Sequence, residues 1–140
     1  MTGFFFNTGI RGIFASLGML ALRLASGGLM LWLHGWSKWQ DYDDKVSGFS
    51  DPLNIGSELS LSFTVTAEVL CAGLICVGLF TRWASLGAAF TMAIAAFVVH
   101  VDDPLSTMEL ALLYCAAYTA ILCVGPGMFS LDRLFHSPDI

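Results

Sequence analysis

Four long apolar stretches divide the chain, each close to the roughly 20 residues that a helix needs to cross the hydrocarbon of a bilayer. They run from about Gly12 to Gly35, Glu58 to Phe80, Trp83 to Val101 and Ser106 to Val124. Lipid offers no water to backbone N–H and C=O groups, so a helix, which bonds them internally, is predicted for each stretch. The breaks hold residues that interrupt helices. Trp36 to Ser57 contains Asp41, Asp43, Asp44, Asp51 and Pro52 and reads as a wet loop. Thr81-Arg82 reads as a tight turn, and Asp102-Asp103-Pro104 separates the third stretch from the fourth. Gly125-Pro126-Gly127 cannot continue a helix and ends the fourth. Met128 to Phe135 then reads as a short amphipathic tail at the membrane surface. The predicted fold is an all-α membrane protein: a four-transmembrane-helix bundle forming a single domain over residues 1–140.

Composition narrows the function classes. Hydrophobic residues make up 56% of the chain and charged ones 12%, about half the charged share of a soluble domain. The net charge of −5 gathers mostly in two connecting segments, and the six Lys and Arg are scattered singly. No basic stripe exists for nucleic acid; the bilayer is the expected surrounding. Met1 to Ile10 lack the positive start of a cleaved secretory signal. Cys71, Cys76, Cys115 and Cys123 lie in apolar runs without CxxC spacing. They read as small apolar fillers, with a redox thiol as the alternative for Cys71. Arg11, Arg82 and Arg133 fall on one side of the membrane, while Lys38 and Lys45 fall on the other among several Asp. The positive-inside rule then puts both termini in the cytoplasm.

A charge at mid-bilayer costs at least ~2.5–3.5 kcal/mol on insertion scales, so it is expected to have a partner or a task. Arg23 lies eleven residues before His34, and Glu68 ten after Glu58. If His34 and Glu58 mark the outer ends of their helices, both charges sit about 15–17 Å below the outer surface. An Arg23–Glu68 ion pair is therefore expected, either as a clasp between helices or as the charged floor of a ligand pocket. His34 shares a helical face with Arg23 and with Gly27, a small residue that would let a neighbouring helix approach. Lys38 joins this face if the helix continues past Gly35. On the third helix Ala89, Ala93, Ala96 and His100 share a face; on the fourth Glu109, Leu113, Ala116 and Ala120 do. Stripes of small residues normally face the bundle interior. His34, Lys38, His100 and Glu109 are thus expected to meet near the outer mouth, above Arg23 and Glu68. Trp32, Trp36 and Trp39 read as an interfacial aromatic belt, or else as a lid that stacks on a flat ligand. The chain has no usable HExxH, EF-hand loop, Walker A or GxGxxG, and no spacing specifies a metal or haem.

Three short patterns resemble one family. Arg23 followed by His34-Gly35-Trp36-Ser37-Lys38 resembles the first-helix signature of the DoxX family. Glu68 with Gly73, Gly78 and Thr81-Arg82 resembles its second, and Gly125-Pro126-Gly127 with Ser130-Leu131-Asp132 its tail. The resemblance implies a four-helix inner-membrane protein. It also implies Arg23, His34, Lys38, Glu68 and Arg82 as functional candidates, with Arg82 structural. The family takes its name from a subunit of a thiosulfate:quinone oxidoreductase, and other members are linked with quinone or catechol stress. The implied function is a membrane subunit of a quinone-linked oxidoreductase system, holding a quinone-like or small amphiphilic ligand in an outward-opening pocket. Quinone is the one cofactor suggested, and other membrane or redox subunits, or further copies of the chain, are the expected partners. The alternative is a non-catalytic anchor or assembly subunit of a larger complex. A transporter would require oligomerisation at this length, and no inverted repeat is visible.

Overall fold

The first apolar stretch folds into a helix that outruns its apolar run. In the computed structural model, which describes residues 12–136, α1 spans Ile13–Gln40 and carries Trp36, Lys38 and Trp39 within it. A short α2, Tyr42–Val46, follows in the acidic connection that was expected to be loop throughout. Then come α3 (Ser57–Val77), α4 (Thr81–Val99), α5 (Leu105–Val124) and the tail helix α6 (Leu131–His136). α1, α3, α4 and α5 are each long and apolar enough to cross a bilayer, and the protein is an all-α, multi-pass membrane protein. Arg11, used above for orientation, lies outside the described residues.

α1 packs on α3, α3 on α4, α4 most extensively on α5, and α5 returns to α1, closing a ring. Met19, Met30, Ala72, Ile75, Ala88, Ala89, Met92, Tyr118 and Ile121 fill its centre. Large apolar side chains such as Phe14, Trp32, Phe97 and Leu113 point outward, as they can when the solvent is lipid. The Ala89–Ala96 face of α4 is inward as expected, but the α5 stripe is not. Glu109, Leu113, Ala116 and Ala120 are all exposed, while Tyr114, Tyr118 and Ile121 are buried. The reason is reach. α1 and α3 come together through glycine, whereas α5 stands further off and fills the gap with rings. Tyr118 stacks on Tyr114 with centroids 6.0 Å apart, and its hydroxyl donates to the Ser26 carbonyl of α1 at 3.1 Å.

The end of the bundle at the α3–α4 turn, hereafter the tail end, is tied by backbone groups that helix termini leave unpaired. Gly78 takes the left-handed conformation (φ 72°) that stops α3, so the turn falls at residues 78–80 rather than at Thr81-Arg82. The Asp132 carboxylate accepts from the backbone N–H of Phe80 (2.7 Å) and Thr81 (2.9 Å). It thereby caps α4 from the tail, at the helix end where negative charge is favoured. The Arg82 guanidinium donates to the Leu122 and Cys123 carbonyls at the end of α5, the terminus that favours a cation.

Candidate functional site

Three of the four spans depart from α-helical winding in the half of the bundle opposite the tail end. Met30–Gly35 of α1, Thr66–Cys71 of α3 and Ala95–Val99 of α4 are wound as π-helix. Such segments leave part of the hydrogen-bond ladder and re-aim side chains, and they concentrate at functional sites. His34 and Glu68 lie within two of them, and His100 caps the third.

Glu68 is 5% exposed, and its partner is Lys38, whose Nζ lies 2.6 Å from Glu68 Oε2. The expected Arg23–Glu68 pair does not form. Gly35 stands level with Glu68: a Cβ on Gly35 would lie 2.6 Å from the Glu68 carbonyl oxygen. Arg23 stands twelve positions earlier, about 18 Å along the helix, level with Gly78. The two do not meet because α1 does not end at Gly35. The helix runs on to Gln40, which draws Lys38 into the span and moves Arg23 toward the tail end. The tryptophans held the signal. Trp32, Trp36 and Trp39 are exposed and do not line the cavity, so they are not a lid over it; exposed tryptophans at 32–39 are what a helix reaching the interface beyond Gly35 would carry.

Arg23 is instead a structural clasp, 1% exposed. Its Nε donates to the Ile75 carbonyl (3.0 Å) and Nη1 to that of Pro126 (2.5 Å). Nη2 donates to Cys76 (3.2 Å) and Phe129 (2.9 Å). Arg23 thus joins α3 to the Gly125–Ser130 turn and does not line the cavity.

Around the Lys38–Glu68 pair lies a cavity of about 630 Å³, lined mainly by apolar side chains from all four spans. His34, Lys38, Glu68 and His100 border it, as do Cys71 and Tyr114. His34 meets the Tyr114 ring edge-on at 5.9 Å. His100 Nδ1 lies 2.7 Å from Asp103 Oδ2, a contact that leaves Nε2 for another partner. Glu109 does not join this group. It lies on the outward face of α5, in a shallow depression with Leu105, Ser106 and Leu113, because the inward face there belongs to Tyr114 and Tyr118. Those tyrosines were not singled out from sequence, although an i, i+4 pair of polar rings in an apolar span is a visible sign. Among the described residues no group of three His, Cys, Asp or Glu could hold a metal ion.

The connection between α1 and α3 covers the cavity. Phe49, Pro52, Leu53 and Ile55 line it from that side. The Tyr42 hydroxyl lies 2.5 Å from Ser62 Oγ and anchors α2 to α3. Asp51 organises the rest: it accepts from Ser60 Oγ (2.8 Å), from the Gly56 N–H (2.8 Å) and from the Ile55 N–H (3.0 Å). The Ser60 hydroxyl above all holds its carboxyl below the ordinary carboxylate range; desolvation opposes it, and the Gly56 and Ile55 N–H groups add smaller downward contributions. A depressed acid stabilises the loop above its ordinary pKa, and the contribution disappears as pH falls through the lower folded value. The Ile55 and Gly56 amide proton resonances should therefore titrate with a midpoint below that of an unstructured aspartate. A midpoint at the ordinary value would show that the three hydrogen bonds do not persist.

Gly35 should be the least replaceable residue beside the site. Gly35→Val forces α1 from the Glu68 backbone, and overpacking of this kind costs ~1–3 kcal/mol. Thermal unfolding in detergent micelles checks this, and Gly28→Val serves as control, since a Cβ on Gly28 meets nothing.

The sequence model of the DoxX family matches residues 18–101, which hold most of α1, all of α3 and α4, and Arg23, His34, Lys38, Glu68, Arg82 and His100. The chain belongs to the DoxX family. The tail residues that resembled the family's third pattern lie beyond the matched region. No curated protein and no solved structure matches the chain. Of the family-pattern residues, His34, Lys38 and Glu68 meet at the cavity, while Arg23 and Arg82 bind backbone carbonyls at the tail end. The four cysteines are unbridged. Cys76 packs under Gly27, Cys115 lies 3.6 Å from the Ala89 carbonyl, and Cys71 borders the cavity.

Proposed function

We propose that this DoxX-family chain is a membrane subunit of a quinone-linked redox system in a bacterial inner membrane, holding a quinone-like head group in the cavity. The supporting observation is a buried Glu68 paired with a half-buried Lys38 in the wall of an otherwise mostly apolar chamber. One ammonium donor is committed to Glu68 and two remain for a ligand oxygen. His34 and Tyr114 add polar groups beside a ring-sized apolar space, a combination suited to a flat molecule with oxygens at its rim. When a redox partner delivers two electrons to such a quinone, its two oxygens take up two protons. His34 and His100 are suitably placed at the cavity wall to pass them, since one imidazole nitrogen can accept a proton while the other donates one. The tail end carries Arg82 and Arg133 and the opposite end Lys38 and Lys45 among several Asp, which supports a cytoplasmic tail end and a cavity nearer the outer surface.

The exposed Ala116 and Ala120 of α5 favour a second reading, an assembly subunit that docks a larger partner through this face. Mild-detergent purification followed by solvent extraction separates the two. The quinone reading expects about one quinone per chain, depleted in His34→Ala. An extract free of quinone, from protein that co-purifies with another subunit, favours assembly.

A further inference from the structure

We infer that the cavity receives its ligand sideways from the bilayer, through a cleft between the outer halves of α3 and α4 flanked by Phe63 and Phe90, and that the ligand carries a hydrocarbon tail lying in this cleft. This rests on the quinone reading above and adds the ligand class and its route.

Phe63 and Phe90 both line the cavity, yet they are 63% and 59% exposed on the outer surface of the bundle. A side chain that meets the interior and the surroundings at once stands at an edge. α3 and α4 touch where Gly87 faces Cys71, a Cβ on Gly87 lying 3.5 Å from the Cys71 sulfur. Beyond that point, toward the α1–α3 connection, the Ser57–Val65 part of α3 makes little contact with α4 or α5. The cleft is on the α4 side. At about 100° per residue, Ser60, Thr64 and Ala67 face the cavity, and Glu68 lies on the flank of that line that meets Lys38 of α1. Phe63 and Thr66 lie on the opposite flank. α4 and α5 are closely packed along their length, so Phe90 can edge an opening only toward α3.

Depth points to lipid rather than water. Phe63 stands six residues into α3 and Phe90 nine before Val99, about 9 and 14 Å from those helix ends. Half the hydrocarbon thickness is about 15 Å, so the cleft opens onto acyl chains. The route from water is roofed by Phe49, Pro52 and Leu53, under a loop that Asp51 clamps. A tail in the cleft would lie between two aromatic rings while the head reaches Lys38, Glu68 and His34, so both parts of an amphiphile keep matching surroundings.

The test is a photoaffinity probe, a benzoquinone bearing a ten-carbon alkyl chain with a terminal diazirine, used on the whole protein in lipid nanodiscs. Labelled positions are mapped by mass spectrometry with and without an excess of the same tailed quinone lacking the diazirine. The expected result is competed labelling several-fold stronger at Phe63, Thr66, Phe90 or Ile94 than anywhere in residues 49–55. Competed labelling mainly in residues 49–55 overturns the lateral route and leaves the quinone pocket standing. Labelling that the competitor does not displace overturns both, since the cleft then holds ordinary acyl chains.

Discussion

Lys38→Met should destabilise the protein by ~3–5 kcal/mol, the usual cost of leaving one member of a buried ion pair without its partner. Glu68→Leu should cost less. Lys38 lies near the end of α1 beside Trp36 and Trp39, and its long stem can carry the ammonium to the interface. Glu68, whose own backbone is pressed against Gly35, has no such escape. The double substitution should recover most of the Lys38→Met loss, because two apolar side chains replace two charges that each needed the other. Unfolding by denaturing detergent gives the four stabilities of the cycle. A double variant as unstable as the summed singles would mean that the pair is not energetically coupled.

Arg23 should tolerate replacement even less. Its guanidinium serves four carbonyls that belong to α3 and to the Pro126–Phe129 turn. A buried acceptor left unpaired costs ~1–3 kcal/mol, so Arg23→Met should remove several kcal/mol and free the tail. Arg23→Lys keeps the charge but loses the planar fork and cannot reach all four oxygens. It should therefore lose ~3 kcal/mol or more, and limited proteolysis should cut first near Gly125–Ser130. Should Arg23→Lys unfold like the unmodified protein, the charge alone would suffice and the clasp would be unnecessary. Any quinone held by folded Arg23→Lys should remain, since Arg23 stands about 18 Å along α1 from the level of Glu68.

The two substitutions separate roles that the family patterns place side by side. Arg23 and Arg82 pair with orphan carbonyls where helices end, and Asp132 returns from the tail to cap α4. His34, Lys38 and Glu68 lie at the opposite half, where π winding loosens the backbone around a chamber. One end is tied by the hydrogen bonds of Arg23, Arg82 and Asp132; the other retains unused donors and space, as a binding site requires.

Hydropathy by itself determined the number and order of the four spans, though not where α1 ends or where α3 turns into α4, because apolar segments of this length with so few charges have no stable place in water. It also required that Glu68 find a cation, because burying a lone carboxylate is prohibitive. Which cation, and which residues share a level, was decided only by the tertiary structure. The register of two antiparallel helices depends on where each one ends, on π turns that take up extra residues, and on glycines such as Gly35 that let backbones touch. The π turns and the glycine contacts leave no mark in an apolar run, and the reach of α1 is marked only by its tryptophans. The face of α5 was hidden for a related reason: in lipid an outward residue need not be polar, so Ala116 outside and Tyr118 inside look alike along the chain until the distance between helices shows which side chain can fill it.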